Sequence, residues 1–146
     1  MKRTVLLAAI LTLLIAGWSI KAQVANDFVV IVHADNPITE ISKSELSGYL
    51  LKKKTKWDNG VSVEPADLES SSDVRAALSE AVHGRTVASI KNYWQRQIFS
   101  GRGVPPKEVK SDSEMVTHVS GDAGAIGYVG PNTRLGNGVK RVRIVG

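Results

Sequence analysis

Three consecutive hydroxyls, Ser70-Ser71-Ser72, stand just before Val74, Ala77, Leu78, Ala81 and Val82, whose i, i+3, i+4, i+7, i+8 spacing predicts an amphipathic helix ended by Gly84. A helix start carries backbone N–H groups with no intrahelical partner and the positive end of the helix dipole, so hydroxyl donors placed there suit a small anion. Arg75, one turn in, adds a fixed positive charge. The plainer alternative is that one serine caps the helix and the other two fill a polar loop, since serine at an N-cap needs no ligand to explain it.

No other group of residues carries comparable chemistry. His33, His83 and His118 fall in separate predicted elements, without the i, i+4 pairing or carboxylate spacing of a metal site, and read as ordinary surface or core histidines. There is no Gly-x-Ser-x-Gly elbow, no phosphate-cradling Gly-x-x-x-x-Gly-Lys and no carboxylate pair distinct from surface charge. The chain has no cysteine, which removes disulfides, thiolate metal sites, cysteine nucleophiles and a lipid anchor on a lipobox cysteine. These absences favour a binding protein over an enzyme, with no cofactor and no metal. Lys52-Lys53-Lys54 with Lys56 follows a predicted helix end, where the dipole favours solvated cations; a basic docking patch is the lesser reading.

Lys2 and Arg3 precede an uncharged stretch from Val5 to Ile20, and small residues follow at Ala22 and Ala25, the layout of a secretory signal peptide over residues 1–22 with cleavage near Ala22. The stretch is shorter than the roughly 20 apolar residues of a membrane-spanning helix. The formal charge of +5 falls to +2 once Lys2, Arg3 and Lys21 are removed, too little to suggest a nucleic-acid partner. The remaining 23–146 segment fits one domain with a modest core.

The elements that must hold the serines can be read from the rest of the chain. Phe28 to His33 is a continuous β-branched and apolar run, the pattern of a central strand buried on both faces, as in parallel sheets. Ser42 with Glu45 makes a capping box, and Ile41 with Leu46 a hydrophobic staple, opening a helix that runs to about Leu51. Trp57-Asp58-Asn59-Gly60 is a turn feeding a short strand, Val61-Ser62-Val63, closed by Pro65. Val87, Ile90, Trp94 and Ile98 form an apolar stripe at helical spacing, expected to face the core. Val109 suits a short strand, and Ser111 with Glu114 caps a helix carrying Met115, Val116 and Val119 and ending at Gly121 or Asp122. Ala125 to Val129 reads as a buried strand whose glycines admit close approach, and Val139 to Val145 as a strand with one wet face that would protect a sheet edge. Strands alternate with helices, so the fold class is α/β: a mostly parallel sheet of about four or five strands with helices on both faces.

Taken in order, Trp57-Asp58-Asn59-Gly60, the serine-started helix, Tyr93-Trp94, Ile98-Phe99-Ser100-Gly101-Arg102-Gly103, Pro105-Pro106 and Gly124-Ala125-Ile126-Gly127-Tyr128-Val129 resemble the substrate-binding proteins of phosphate ABC transporters. The resemblance covers nearly all of residues 23–146 and implies a type II periplasmic-binding-protein fold, here as a single lobe. It further implies an exported, periplasmic module that binds phosphate or another small anion, with a membrane transporter or receptor as partner. Ser70, Ser71 and Ser72 match the family's phosphate-binding helix start, and Arg75 would add charge to it. Half the family's usual length leaves one side of a cleft, which a partner or a homodimer would complete. Asp67 and Glu69 stand where the family places positive charge, and carboxylates within several Å of a dianion oppose its binding. The alternative function is a protein-interaction or sensory module of the same fold that has lost phosphate binding.

Overall fold

The apolar run after Asp27 forms β1 (Val29–His33) in the computed structural model, which describes residues 27–146. The expected signal peptide at 1–22 lies outside the described residues. The chain continues through β2 (Glu40–Ser42), α1 (Lys43–Leu50), β3 (Glu64–Leu68), α2 (Asp73–Leu78), a π-helical turn (Ser79–His83), α3 (Val87–Phe99), β4 (Lys107–Val109), α4 (Asp112–Ser120), β5 (Ala125–Val129) and β6 (Val139–Val145).

The strands form one six-stranded sheet in the order β2-β6-β1-β5-β3-β4. β2 with β6, β3 with β5 and β3 with β4 are parallel, whereas β1 is antiparallel to both its neighbours, β5 and β6. The class is thus α/β with a mostly parallel sheet, as the alternation of elements predicts. β1 itself departs from the expectation. Val30, Ile31 and Val32 are all buried, so its unbroken apolar run reports burial on both faces and carries no information on direction. All five residues of β5 are also buried, which means that both faces of the sheet are covered at its centre.

Local signals fix the helix starts. Ser42 and Glu45 make the reciprocal capping box of α1, Ser72 accepts from Arg75 N–H at α2, and Ser111 accepts from Glu114 N–H at α4. Glu114 answers the amide of Lys110 rather than that of Ser111, so the box at α4 reaches one residue further back. Gly84 ends the π turn in a left-handed conformation that favours glycine. Ile41 and Leu46 are both buried, as a staple requires, and Ile41 also lies in β2.

Three expectations shift. The strand expected at Val61–Val63 lies instead at Glu64–Leu68, with Pro65 inside it. Pro65 is tolerated because β4 begins its pairing only at Ala66, leaving β5 alone beside the proline. β6 is second from the edge, covered by β2 at Arg143, Ile144 and Val145, and is no edge strand. The α3 stripe is core only over its first half. Ile90 and Trp94 are buried with Leu51 in a small cluster separate from the main core, while Ile98 is exposed.

Candidate functional site

β5, β3 and β4 are adjacent and parallel, so their C-terminal ends, Val129, Leu68 and Val109, share one edge of the sheet. In open α/β sheets the carboxyl ends of the strands, where loops pass to helix N-termini, are the usual ligand position. The Glu69 amide donates to the Val109 carbonyl, which ties the ends of β3 and β4 together. The chain then turns through exposed Ser70 and Ser71 to Ser72, the N-cap of α2.

Ser72 Oγ accepts from the Arg75 amide and the Ser72 carbonyl from the Ala76 amide, while the amides of Asp73 and Val74 have no partner among the described residues. The first turn of α2 reaches Gly130, just past β5, where a Cβ would lie 3.7 Å from Val74 Cγ2. The first residue of α4 reaches the same glycine: Asp112 Oδ2 accepts from Gly130 N–H at 3.0 Å and from Thr133 Oγ1 at 2.7 Å. Two helix starts therefore meet one strand end. Clefts of about 340 and 220 Å³ open elsewhere on the described surface, while one of about 300 Å³ lies between β4 and α4 and includes Glu108 and Val109.

Arg75 is only 6 % exposed. Its Nη1 donates to the Leu68 carbonyl at 2.7 Å and to Glu108 Oε2 at 3.0 Å, and its Nη2 stands 3.7 Å from Asp67 Oδ2. Asp67, 7 % exposed, accepts from the Tyr128 hydroxyl at 2.6 Å. Burial raises the Asp67 carboxyl above its usual range, against the Arg75 charge and the Tyr128 hydrogen bond, which lower it. The Tyr128 hydroxyl is driven upward by burial and by the Asp67 charge beside it. Asp67 thus does not face the serine turn as a free charge; it is spent on Tyr128 and Arg75. Glu69 is half-buried and uses its amide, not its carboxylate, to link β3 to β4.

The structure places Ser70, Ser71 and Ser72 on one turn and lays the Arg75 guanidinium against the end of the strand beneath it. The sequence did not single out Glu108, Asp112, Thr133 or Tyr128. Their roles depend on pairings across separations of 18 to 61 residues, for which no local spacing rule exists. The turn offers free amides and three hydroxyls, groups suited to an oxyanion, and no nucleophile and base pair, while the Arg75 guanidinium is engaged by Leu68, Glu108 and Asp67. His33, His83 and His118 lie on β1, the π turn and α4. Among the described residues no three His, Asp or Glu side chains group as metal ligands do.

No protein-family model and no curated protein matches the sequence. Solved structures do match the fold. An ABC-type phosphate transport receptor from Vibrio cholerae is 18 % identical, with a TM-score of 0.64 over 81 % of this chain and 46 % of its own. A proposed phosphate ABC transporter substrate-binding protein from Clostridium perfringens, solved with bound phosphate, is 19 % identical, with a TM-score of 0.64 over 81 % of this chain and 44 % of its own. PstS from Borrelia burgdorferi is 19 % identical, with a TM-score of 0.57 over 81 % and 47 % of the two chains. The chain spans less than half the length of each, and over that span its fold is the one found in phosphate ABC transporter substrate-binding proteins.

Proposed function

We propose that the chain is an exported solute-binding module, one lobe of a type II periplasmic-binding-protein architecture. It takes phosphate or a similarly small anion at Ser70, Ser71 and Ser72, with Arg75 beneath them, and presents it to an ABC-type membrane transporter from the periplasm. It binds and does not catalyse. The observation that carries this is the meeting of the α2 and α4 starts at Gly130, on the carboxyl edge of three parallel strands, in a fold also found in phosphate receptors. A single lobe leaves the anion open on one side, so enclosure falls to the partner.

A second reading is favoured by the carboxylates already in place. Glu108 occupies Arg75 Nη1, and Asp112 occupies the Gly130 amide and the Thr133 hydroxyl, where an anion would otherwise be received. A module so filled by its own side chains would serve protein interaction or sensing and not anion capture.

A thermal melt of the protein with and without millimolar phosphate separates the two, sulfate and chloride serving as controls for general salt effects. A ligand at a hundredfold excess over Kd adds about 2.7 kcal/mol to stability. Changing Ser70, Ser71 and Ser72 together to Ala removes the phosphate-specific rise, and Glu108→Gln, which frees Arg75 Nη1, enlarges it. Absence of any phosphate-specific rise in both the native protein and Glu108→Gln selects the interaction reading.

A further inference from the structure

The far end of α3 does what a folded chain usually avoids. Ile98, Phe99 and Val104 are 51 %, 90 % and 62 % exposed, three large apolar side chains within one helix end and the loop that leaves it. Their base is firm: Ile90 and Trp94 are buried against Leu51, and the backbone folds back through Gly101 N–H to the Ile98 carbonyl and Arg102 N–H to the Gln97 carbonyl. At 90 % exposure Phe99 has almost nothing packed on its sides, so the apolar group is a protrusion and not the wall of a groove.

The charge along α3 and the loop that follows it is of one sign. No Asp or Glu occurs between Glu80 and Glu108, while Arg85, Lys91, Arg96, Arg102 and Lys107 do, all of them exposed. Lys52 Nζ donates to the Pro105 carbonyl on the same loop, and Lys53 Nζ stands 5.9 Å from the centre of the Tyr93 ring on α3, which adds two more cations. Glu108, the first acid beyond the stretch, is drawn to Arg75.

We propose that the α3 end and its loop dock on an anionic phospholipid surface, with Ile98, Phe99 and Val104 entering the headgroup boundary and the surrounding Lys and Arg residues against lipid phosphates. A basic collar around a few protruding apolar side chains is the chemistry of interfacial binding: apolar burial and attraction to anionic lipid act together, and each alone is weak. An acidic protein surface would satisfy the collar, but an isolated protruding ring with open sides suits a deformable lipid boundary better than a preformed pocket. The proposal does not depend on anion binding at Ser70–Ser72.

The absence of cysteine makes the test local. Ser100→Cys in the full chain, labelled with an environment-sensitive fluorophore, reports on this loop alone, and Asn132→Cys, after β5, is the control. With vesicles of equal phosphatidylglycerol and phosphatidylcholine the label at 100 moves to a shorter emission wavelength and brightens severalfold, the label at 132 does not, and phosphatidylcholine alone has no effect at 100. Vesicle sedimentation then shows about a tenfold weaker partition for Ile98→Ser with Phe99→Ser, and at least tenfold for Arg96→Glu with Arg102→Glu. No emission change at 100, or unchanged partition in the Ile98/Phe99 variant, overturns the proposal. So does binding to poly-glutamate without binding to vesicles, which would make the face a dock for an acidic protein.

Discussion

The Tyr128 hydroxyl donates to Asp67 Oδ1 at 2.6 Å and accepts from the Leu68 amide at 3.2 Å, so one side chain of β5 serves two polar groups of β3. Both residues are buried, and Arg75 supplies the opposing charge from α2 at a distance too long for a hydrogen bond. The contact locks the strand that ends at the serine turn to the strand that ends at Gly130. It therefore sets the spacing on which the candidate anion site depends.

Removing that hydroxyl leaves a buried amide and a buried carboxylate each short of a partner. Tyr128→Phe is expected to lower unfolding stability by about 2 kcal/mol, measured by urea denaturation with the slope unchanged. A loss below about 0.5 kcal/mol would mean that water replaces the hydroxyl and that the triad contributes little.

His83 gives the fold an acid-sensitive position. Its Nδ1 lies 2.8 Å from Ser47 Oγ, and burial, with Arg85, Arg75 and Lys53 adding to it, lowers its pKa from 6.5 to about 4. Between those values the unfolded chain binds a proton that the folded chain does not. Its contribution is thus fully present above pH 6.5 and declines as the pH falls toward 4. Asp67, raised by burial, acts with the opposite sign, because the folded state keeps a proton that the unfolded state has lost. The difference between the native protein and His83→Asn isolates the histidine: from pH 7 to pH 5 the native protein loses on the order of 1–2 kcal/mol more than the variant. Parallel pH profiles would show that His83 is not the group responsible.

Gly124 is required by the close approach of another backbone. A Cβ there would lie 2.0 Å from the Ser62 carbonyl oxygen, and the Gly124 carbonyl itself accepts from Trp57 Nε1 at 3.0 Å. Gly124→Ala is expected to cost about 3 kcal/mol, read as a lower melting temperature. Gly127→Ala meets Met115 Sδ at 2.3 Å, the end of a flexible side chain, and is expected to cost less. Equal losses in the two variants would show that the backbone contact at Ser62 yields as easily as the methionine.

Legibility in the sequence follows the range of the interaction. Ser42, Ser72, Ser111, Gly84 and Gly121 mark helix ends through bonds to residues a few positions away, and the elements they bound stand where the sequence puts them. The turn at Trp57–Gly60 is equally local, with Gly60 at positive φ and its amide on the Trp57 carbonyl. Strand direction and order are not local properties. β1 looks the same whether its neighbours run with it or against it, and Pro65 looks like a terminator until β4 is known to begin one residue later. Ile41 serves both β2 and the staple of α1, and the helix signal hides the three-residue strand.

At the candidate site the serine turn was visible because hydroxyls before an amphipathic run are a contiguous signal. The answer to its charge was not. Asp67 reads as an acid three residues before a serine loop, and only Tyr128 and Arg75, brought in by the sheet and by α2, reveal it as an internal partner. The α3 stripe misleads for the complementary reason. Periodicity locates an apolar face, but whether Ile98 meets a core depends on how far α3 extends past Leu51.

Both margins of the sheet are three residues long, β2 at one side and β4 at the other. A strand recruited from another molecule would find few free amides and carbonyls to pair with, and on β4 it would meet the exposed Lys107 and Glu108. The same brevity that keeps the sheet from templating fibres also closes the commonest route by which two copies could join edge to edge.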